Sequence, residues 1–363
     1  MPMHLALIIS SLNSGGAQRV LSILANHWAS QGHKISLITL DRPESPPFYP
    51  LNSKINIFQL NKNKPETSCI NRLKAISDRF LSLRKKIQKL KPDLIVSFVD
   101  IMNITTLISS LGLKIPVIVS ERTHPKYHKI PLLYQKLRGL FYSKASQVIV
   151  QTESAAQYFK NLKNVSVIPN AVLIPNKTKQ DVNLMPQHIV SIGRLCPFKG
   201  FDTLIYTFSN LLQQYSNLIL TIYGEGQERK NLEKLISFLN LENKVFLPGA
   251  LKEIQTSLLK ADLFIFPSHY EGFPNALCEA MAIGLPVIAS NCSGNIDIIQ
   301  DHINGRLFPI GDIEALTQIS LELLKDTNQR VKLSQNAKQL SEQFHPNLIF
   351  NLWDQAISNS LKN

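Results

Sequence analysis

The sequence predicts an α/β protein made of two doubly wound domains, each with a parallel β-sheet that helices cover on both faces. The chain has 363 residues, which corresponds to two domains at about 100–200 residues each. Short apolar runs alternate with amphipathic stretches along the chain, a pattern typical of parallel sheets. A polar segment with two prolines, residues 173–187, separates two such series and is the predicted linker.

The individual elements follow from these runs. In the first half, strands are predicted at residues 5–9, 34–40, 94–98, 117–120, 147–151 and 165–169, with helices at 17–31 and 69–90. In the second half, strands are predicted at residues 188–192, 218–223, 245–247, 263–267, 287–290 and 305–308. The runs place an N-terminal domain at residues 1–172, a second domain at residues 188–343 and a terminal helix at residues 344–363.

The composition excludes several classes of protein. Hydrophobic residues make up 44% and charged residues 18% of the chain, which is a globular and not a disordered composition. The four cysteines are widely spaced, so neither a zinc site nor a disulfide framework is predicted, and a reducing compartment is expected. The apolar start at residues 5–9 is a predicted strand rather than a signal peptide, and no run reaches the roughly 18 apolar residues of a membrane span.

The net charge of +13 is distributed very unevenly. Residues 1–176 carry 23 Lys and Arg against 8 Asp and Glu, a net charge of +15, whereas residues 177–363 carry 16 against 18. Such an excess favours nucleic acid, an anionic membrane surface or an anionic substrate as a partner. No nucleic-acid recognition module is found, so no nucleic-acid partner is predicted.

Two segments concentrate this charge. Residues 72–91 have apolar side chains at spacings of three and four among eight basic residues, which predicts an amphipathic basic helix. In residues 125–144, lysines alternate with aromatic side chains, a combination typical of helices at a membrane interface. For both segments the alternative is an apolar stripe that faces the protein core beneath a solvated face.

Glycine-containing turns follow several predicted strands. They contain Gly15 and Gly16, Gly193, and Gly224, and such turns let a ligand approach the backbone closely while a following helix offers free N–H groups to an anion. None has the Gly-Lys-Ser/Thr of a phosphate-binding loop, and Arg229 stands where a dinucleotide fingerprint needs its third glycine. Simple tight turns are the alternative.

Two cations follow the first strand of the second domain. Arg194 and Lys199 flank a short loop there and together would clamp a diphosphate, Arg through its planar fork and Lys as a point charge. Solvated surface cations are the alternative.

The most informative segment is residues 267–282, in which Glu271 ends a turn before a helix through Met281. Pro274 suits the first turn of this helix, whose positive end would present the N–H groups of Gly272 and Phe273. Glu279 lies about a turn and a half into the helix. Two acids here would accept hydrogen bonds from sugar and ribose hydroxyls, unless one only caps the helix and the other is a surface residue.

The segment from Glu271 to Glu279, Glu-Gly-Phe-Pro-Asn-Ala-Leu-Cys-Glu, resembles the signature of retaining glycosyltransferase family 4. Further matches in the family's order are Gly-Gly-Ala-Gln-Arg near the start, Val-Ile-Pro-Asn at 167–170, Gly-Arg-Leu and Phe-Lys-Gly around 193–200, and Gly-Leu-Pro-Val-Ile-Ala-Ser at 284–290. The resemblance covers the whole chain. It implies the GT-B fold, with two Rossmann-like domains facing across a cleft and a C-terminal helix that returns to the first domain.

The resemblance also implies roles for individual residues. Arg194 and Lys199 would neutralise the donor diphosphate, Glu279 would bind the ribose, and Glu271 would hold donor-sugar hydroxyls. Further residues implied to line the donor site are Gly15, Gly16, Gly193, Gly224, Gly249, Gly272, Phe273, Pro274, Asn275, Ala276 and Leu277. His124 lies in a Ser-Glu-Arg-x-x-Pro element similar to one in bacterial surface-glycan transferases, where Asn or Asp is commoner at its position. It is expected to act in catalysis by contacting the donor sugar or a phosphate, and a structural or acceptor-side role is the alternative.

The expected function is a retaining transfer of a hexose or N-acetylhexosamine from a UDP-sugar to a polyprenyl-diphosphate-linked saccharide in cell-surface glycan biosynthesis. No Asp-x-Asp pair occurs in the chain, so neither a metal nor another cofactor is expected, and cations and helix N-termini would stabilise the leaving group. The expected location is the cytoplasmic face of the cell membrane, held peripherally by the basic N-terminal domain. The alternatives are a nucleotide-sugar epimerase of similar fold and a non-catalytic nucleotide-sugar-binding subunit.

Overall fold

The computed structural model describes residues 2–62, 69–172, 183, 185–251 and 254–362, which divide into two compact units. Unit 1 comprises Met1–Ala171 together with Asn347–Asn363, and unit 2 comprises Val172–Pro346. Each unit contains one sheet, and every pair of neighbouring strands in either sheet is parallel.

The sheet of unit 1 has seven strands in the order β3-β2-β1-β4-β5-β6-β7. The strands are β1 (His4–Ile8), β2 (Lys34–Thr39), β3 (Asn56–Gln59), β4 (Leu94–Phe98), β5 (Val117–Ser120), β6 (Gln147–Val150) and β7 (Val165–Val167). The central strands are buried along their whole length because helices cover both faces of the sheet, which explains their continuous apolar runs.

The helices of unit 1 are α1 (Gly16–Ser30), α2 (Cys69–Leu90), α3 (Asp100–Ser109), α4 (Leu132–Phe141), α5 (Glu153–Tyr158) and, at the end of the chain, α13 (Pro346–Lys362). Helix α13 belongs to unit 1 because its apolar face completes the core there. Trp353 is fully buried, its ring lies edge-on to Trp28 at 6.1 Å, and the indole N–H of Trp28 donates to Asp354 at 2.9 Å. The predicted return of the C-terminal helix to the first domain is confirmed.

Helix α2 turns its apolar side into the unit 1 core. Leu83 and Ile87 have no exposed surface, and they pack in the same cluster as strands β1, β4 and β5. Arg84, a basic residue of α2, is also engaged within the unit, since it donates to the carbonyl oxygens of Ser109 and Leu111 at 3.0 and 2.7 Å. For this segment the structure therefore supports a core-facing apolar stripe beneath a basic face.

Unit 2 contains a six-stranded sheet in the order β10-β9-β8-β11-β12-β13. Its strands are β8 (His188–Ile192), β9 (Ile219–Tyr223), β10 (Val245–Gly249), β11 (Leu263–Phe266), β12 (Val287–Ser290) and β13 (Arg306–Phe308). Its helices are α6 (Phe201–Leu211), α7 (Arg229–Phe238), α8 (Gln255–Leu259), α9 (Asn275–Ile283), α10 (Ser293–Ile296), α11 (Ile313–Lys325) and α12 (Thr327–Ser341). Two apolar clusters lie on opposite faces of this sheet.

The predicted fold class is confirmed, because both units are α/β with parallel sheets in doubly wound order. Most of the predicted linker at residues 173–187 lies outside the described residues. No helix in the described part of the chain is both long and apolar enough to span a lipid bilayer.

Candidate functional site

The candidate site of unit 2 lies at the carboxyl ends of β8 and β11, the two neighbouring central strands of its sheet. From β8 the chain continues to β9 on one side, and from β11 it continues to β12 on the other. In doubly wound sheets this reversal of strand order leaves a crevice in which ligands bind. Functional side chains are therefore expected in the loops that follow β8 and β11.

Lys199 and Glu271 meet in this crevice although they are 72 residues apart in sequence. The Lys199 Nζ atom lies 2.5 Å from Glu271 Oε1, and the ammonium group also lies 4.8 Å from the centre of the Phe266 ring. The two side chains are only 13% and 12% exposed, so each charge has lost most of its water and depends on the other. A ligand with its own charges and hydroxyls would exchange partners with this pair.

The two loops that carry this pair are joined along their length. The backbone N–H of His269 donates to the carbonyl of Phe198 at 2.7 Å, and the rings of Phe198 and Tyr270 stack at 4.6 Å between centroids. The first loop is tightened by a 3-10 turn, Pro197–Lys199, directly before helix α6. These contacts link the loop of Lys199 to the loop of Glu271.

Glycine turns after three adjacent strands pack backbone against backbone. The N–H of Gly193 donates to Tyr223 O and that of Gly224 donates to Gly249 O, both at 2.9 Å. A Cβ on Gly224 would lie 1.8 Å from the carbonyl oxygen of Gly193, so only glycine permits this approach. The predicted residues Gly193, Gly224 and Gly249 therefore lie close together. Because they have no side chains, main-chain atoms line this part of the candidate site.

Helix α9 begins beside Glu271. Pro274 is its N-cap residue, and the proline side chain makes no capping hydrogen bond to the first turn. Phe273 and Leu277 pack into the apolar core of unit 2, so only their backbone is available to a ligand. Glu279, on the same helix, is 8% exposed.

The other basic side chains near the site differ in their surroundings. Arg194 is exposed and forms no ion pair with a carboxylate in the described part of the chain. Arg229 stands where a dinucleotide fingerprint would have its third glycine, and the sequence predicted no further role for it. Its guanidinium forms an ion pair with Glu225 at 2.5 Å and donates to the carbonyl of Leu247 at 3.1 Å. This guanidinium therefore connects the turn that follows β9 to strand β10.

The remaining predicted residues lie in unit 1. Gly15 is the N-cap residue of α1 and Gly16 is its first residue, and no acidic side chain lies in the first turn of this helix. His124 follows β5 and is only 5% exposed, its Nδ1 atom 3.3 Å from the N–H of Lys126. The roles proposed for these three residues stay predictions.

Glu121 and Arg122, which lie between β5 and His124, both have strongly shifted pKa values. Burial, with Asp100 nearby, raises the pKa of Glu121 to about 7 against the opposing effects of Tyr142 and Arg138. Burial also lowers the pKa of Arg122 to about 9, yet a guanidinium keeps its proton at neutral pH. Sequence reasoning singled out His124 instead, although charged residues directly after a buried parallel strand were the available signal.

The described residues contain no group of three or more His, Cys, Asp or Glu side chains that could hold a metal ion. The polar and charged groups of the candidate site are the Lys199–Glu271 ion pair, the exposed guanidinium of Arg194, the buried carboxylate of Glu279 and backbone N–H groups. Such a set suits a ligand that carries both negative charge and hydroxyls.

Comparison with known proteins agrees with this chemistry. The family Glycosyltransferase Family 4 matches residues 14–173, and Glycosyl transferases group 1 matches residues 175–340. Over 97% of both chains, the protein is 30% identical to the GalNAc-alpha-(1->4)-GalNAc-alpha-(1->3)-diNAcBac-PP-undecaprenol alpha-1,4-N-acetyl-D-galactosaminyltransferase of Campylobacter jejuni. It is 28% identical to the amylovoran biosynthesis glycosyltransferase AmsD of Erwinia amylovora, over 98% of this chain and 99% of that one.

Solved structures share the fold. Sucrose-phosphate synthase from Thermosynechococcus elongatus superposes with a TM-score of 0.85 at 18% identity, covering 98% of both chains. HepE of Anabaena, in complex with UDP and glucose, superposes with a TM-score of 0.78 at 19% identity, covering 98% of this chain and 99% of that one. Together with the sequence matches, these likenesses show that the chain is a glycosyltransferase with the GT-B fold and that it belongs to glycosyltransferase family 4.

Proposed function

We propose that this glycosyltransferase moves a hexose or N-acetylhexosamine from a UDP-sugar to a polyprenyl-diphosphate-linked saccharide, with retention and without a metal ion, in cell-surface glycan biosynthesis. The observation that carries the proposal is the Lys199–Glu271 pair at the reversal of strand order in unit 2. It presents a cation and a carboxylate side by side, as a sugar attached to a diphosphate requires.

The names of relatives support the choice of acceptor and donor. Two Campylobacter jejuni relatives, 30% and 29% identical, are named for N-acetylgalactosaminyl transfer to undecaprenol-diphosphate-linked saccharides. A third relative is named for amylovoran biosynthesis, and HepE was crystallised with UDP and with UDP-glucose. We transfer these substrate classes to the present chain as part of the proposal.

In the proposed mechanism, the bound UDP-sugar breaks the ion pair between Lys199 and Glu271 and gives each side chain a new partner. The diphosphate takes the Lys199 ammonium and the exposed Arg194 guanidinium, whereas Glu271 accepts hydrogen bonds from sugar hydroxyls. Glu279 accepts from the ribose. The backbone N–H groups at the start of α9 add positive potential beside the diphosphate.

Charge develops on the diphosphate as the glycosidic bond to the sugar breaks. Lys199 and Arg194 would stabilise that charge, and the largely buried Lys199 would do so with little reorganisation of water. The acceptor hydroxyl would attack from the same face and give its proton to the departing phosphate, which keeps the configuration of the sugar. This route needs neither a nucleophilic carboxylate nor a metal ion.

We further propose that helix α4 holds the enzyme on the cytoplasmic face of an anionic membrane. Leu132, Leu133 and Leu140 on this short helix are 76%, 54% and 63% exposed, and Lys136 lies on it as well. Exposed leucines beside lysines are typical of helices that lie in a membrane interface. Because the apolar side of α2 is buried, α4 is the better candidate of the two basic segments.

The transfer reaction is tested with UDP-N-acetylgalactosamine, UDP-N-acetylglucosamine, UDP-galactose and UDP-glucose against undecaprenyl-diphosphate-linked saccharides. Mass spectrometry of the lipid product should show one added sugar, and a chelator should not reduce the rate. Lys199→Ala and Glu271→Ala should each lower the rate at least about 100-fold, since each removes a group proposed to act in the transition state. The control is Lys234→Ala, an exposed lysine of α7.

The outcomes separate the alternatives. Full activity in either variant would refute the proposed site, and a requirement for a divalent metal would refute the metal-free mechanism. Release of an epimerised sugar without acceptor would identify an epimerase instead.

Membrane binding is tested by flotation with phosphatidylglycerol and phosphatidylcholine vesicles. Leu132→Ser and Leu140→Ser should each weaken binding about tenfold, because each removes a leucine that would be buried among lipids. The matched control is Leu81→Ser, since Leu81 is 58% exposed but lies on α2. Equal binding to neutral and anionic vesicles would contradict the preference for an anionic membrane. An equal effect of the Leu81→Ser control would contradict the assignment to α4.

A further inference from the structure

We infer that Gly294 is a positioning residue that fixes the main chain of Glu271. Its consequence for activity rests on the proposed function, whereas its geometric content does not. Gly294 lies in α10, the short helix after β12, and it faces the loop after β11 that carries Glu271. The sequence pattern around Gly294 did not predict a role for it.

The two residues touch backbone to backbone. A Cβ on Gly294 would lie 2.7 Å from Glu271 Cβ, 2.9 Å from its carbonyl oxygen and 3.0 Å from its carbonyl carbon. Carbon atoms in contact normally lie about 3.5–4.0 Å apart, so any side chain at 294 requires a movement of about 1 Å. The nearest atoms all belong to Glu271, and two are backbone atoms, so a change of rotamer cannot relieve the contact.

Helix α10 cannot supply this movement. Asn295 is completely buried, and its side-chain amide donates to the carbonyl of Ser290 at 3.0 Å and to the Ser290 hydroxyl at 3.2 Å. The Ser290 hydroxyl in turn donates to the carbonyl of Ser268. Because this buried chain of hydrogen bonds ties α10 to the ends of both β12 and β11, a shift of α10 would leave polar groups unpaired.

We therefore expect the loop with Glu271 to move instead. Tyr270, Glu271 and Gly272 are each partly exposed, unlike Asn295, and the Glu271 side chain is held by its contact with Lys199. A side chain at 294 would push the main chain of Glu271 away from α10 and thereby change the placement of its carboxylate. A displacement of about 1 Å at a catalytic group can lower a rate about 100-fold.

The effect should be confined to the sugar and should spare the nucleotide. Glu271 is proposed to hold sugar hydroxyls, whereas Lys199 and Arg194 are proposed to bind the diphosphate and Glu279 the ribose. Gly294→Ala should therefore lower kcat about 100-fold for a UDP-sugar, yet change the dissociation constant of UDP less than about threefold. A substitution that merely loosened unit 2 would weaken both.

The experiment compares Gly294→Ala with Gly305→Ala. A Cβ on Gly305 would lie 2.8 Å from a methyl group of Val287, so this control introduces a clash of similar size in the same unit but away from Glu271. Both variants are measured for transfer from the best UDP-sugar, for UDP binding by calorimetry, for thermal stability, and by crystal structure. Glu271→Ala is measured in parallel.

The structural readout does not depend on any substrate. In the Gly294→Ala crystal structure, the main chain of Glu271 should be displaced and its contact with Lys199 changed, and in the Gly305→Ala structure both should be as in the wild type. An unchanged Glu271 in Gly294→Ala overturns the inference, whatever the activity. Full activity of Glu271→Ala would instead refute the proposed function, and normal activity of Gly294→Ala beside an inactive Glu271→Ala would refute the positioning role alone.

Discussion

Replacing Glu121 with glutamine should stabilise unit 1 by about 3 kcal/mol at pH 8 and by less than about 1 kcal/mol at pH 5. Glu121 is 2% exposed, and burial is the main reason that its pKa is raised from 4.5 to about 7. One of its oxygens accepts the Tyr142 hydroxyl, whereas the other has no hydrogen-bond partner among the described residues. A negative charge here is therefore poorly stabilised, and glutamine avoids it with the same shape.

The sign and size of the effect follow from proton binding. In the unfolded chain the carboxyl loses its proton near pH 4.5, but in folded unit 1 it keeps the proton until about pH 7. Between these values the folded state binds more protons than the unfolded state, so the free energy of unfolding falls as the pH rises. At about 1.4 kcal/mol per pH unit, the Glu121 carboxyl costs about 3 kcal/mol of stability above pH 7 and nothing below pH 4.5.

Tryptophan fluorescence is the assay, because both tryptophans of the chain, Trp28 and Trp353, are buried in the core of unit 1. Urea unfolding is followed by their emission at pH 5, 6, 7 and 8, and the stability difference between Glu121→Gln and wild type should grow to about 3 kcal/mol at pH 8. Glu44→Gln, at an exposed carboxyl of the same unit, is the control. A difference that is constant across this pH range would refute the reasoning.

Three further predictions concern packing. Trp353→Ala should lower the free energy of unfolding of unit 1 by about 3–5 kcal/mol, followed by the emission of the remaining tryptophan, whereas Leu361→Ala at a 40% exposed position of the same helix should change it little. Gly224→Ala should weaken UDP binding and lower the melting temperature, because its Cβ would lie 1.8 Å from Gly193 O, and calorimetry showing unchanged affinity would contradict this. Arg330→Met should cost unit 2 about 3 kcal/mol or more, visible as faster amide hydrogen exchange there, since its buried guanidinium donates to two carbonyls at the end of α11. Exchange equal to that of the wild type would contradict it.

The strands were predictable to the extent that they are buried on both faces. The predicted runs at 94–98, 117–120, 188–192 and 287–290 coincide with β4, β5, β8 and β12, because a strand between two helical layers must be apolar along its whole length. Strand β3 (Asn56–Gln59) was not predicted. It lies at the edge of its sheet with half its length exposed, so its sequence carries no apolar run.

The candidate site was predictable residue by residue but not as a geometry. Lys199 and Glu271 could each be identified because they follow a strand and adjoin glycine. Their charged atoms lie 2.5 Å apart across 72 residues of sequence because β8 and β11 are neighbouring strands. The role of Gly294 could not be predicted for the same reason, since it depends on which atoms of other segments lie against this glycine.

The basic segments illustrate a further limit. Residues 72–91 and 125–144 both alternate apolar with basic side chains, and such spacing specifies which residues share a face but not what covers that face. The structure buries Leu83 and Ile87 of α2 in the core and leaves Leu132 and Leu140 of α4 exposed. The membrane proposal therefore moves from two segments to one.

The sequence by itself determined the fold class, the family and the identity of the residues at the ends of the central strands. These depend on local patterns: apolar runs, glycine turns and the segment from Glu271 to Glu279. Only the tertiary structure decided which charges meet, which apolar face is buried and why Glu121 holds its proton, since those properties arise from atoms that strand order brings together across long stretches of chain. Burial and pairing are properties of the packed molecule, and they convert a list of candidate residues into a site whose chemistry can be tested.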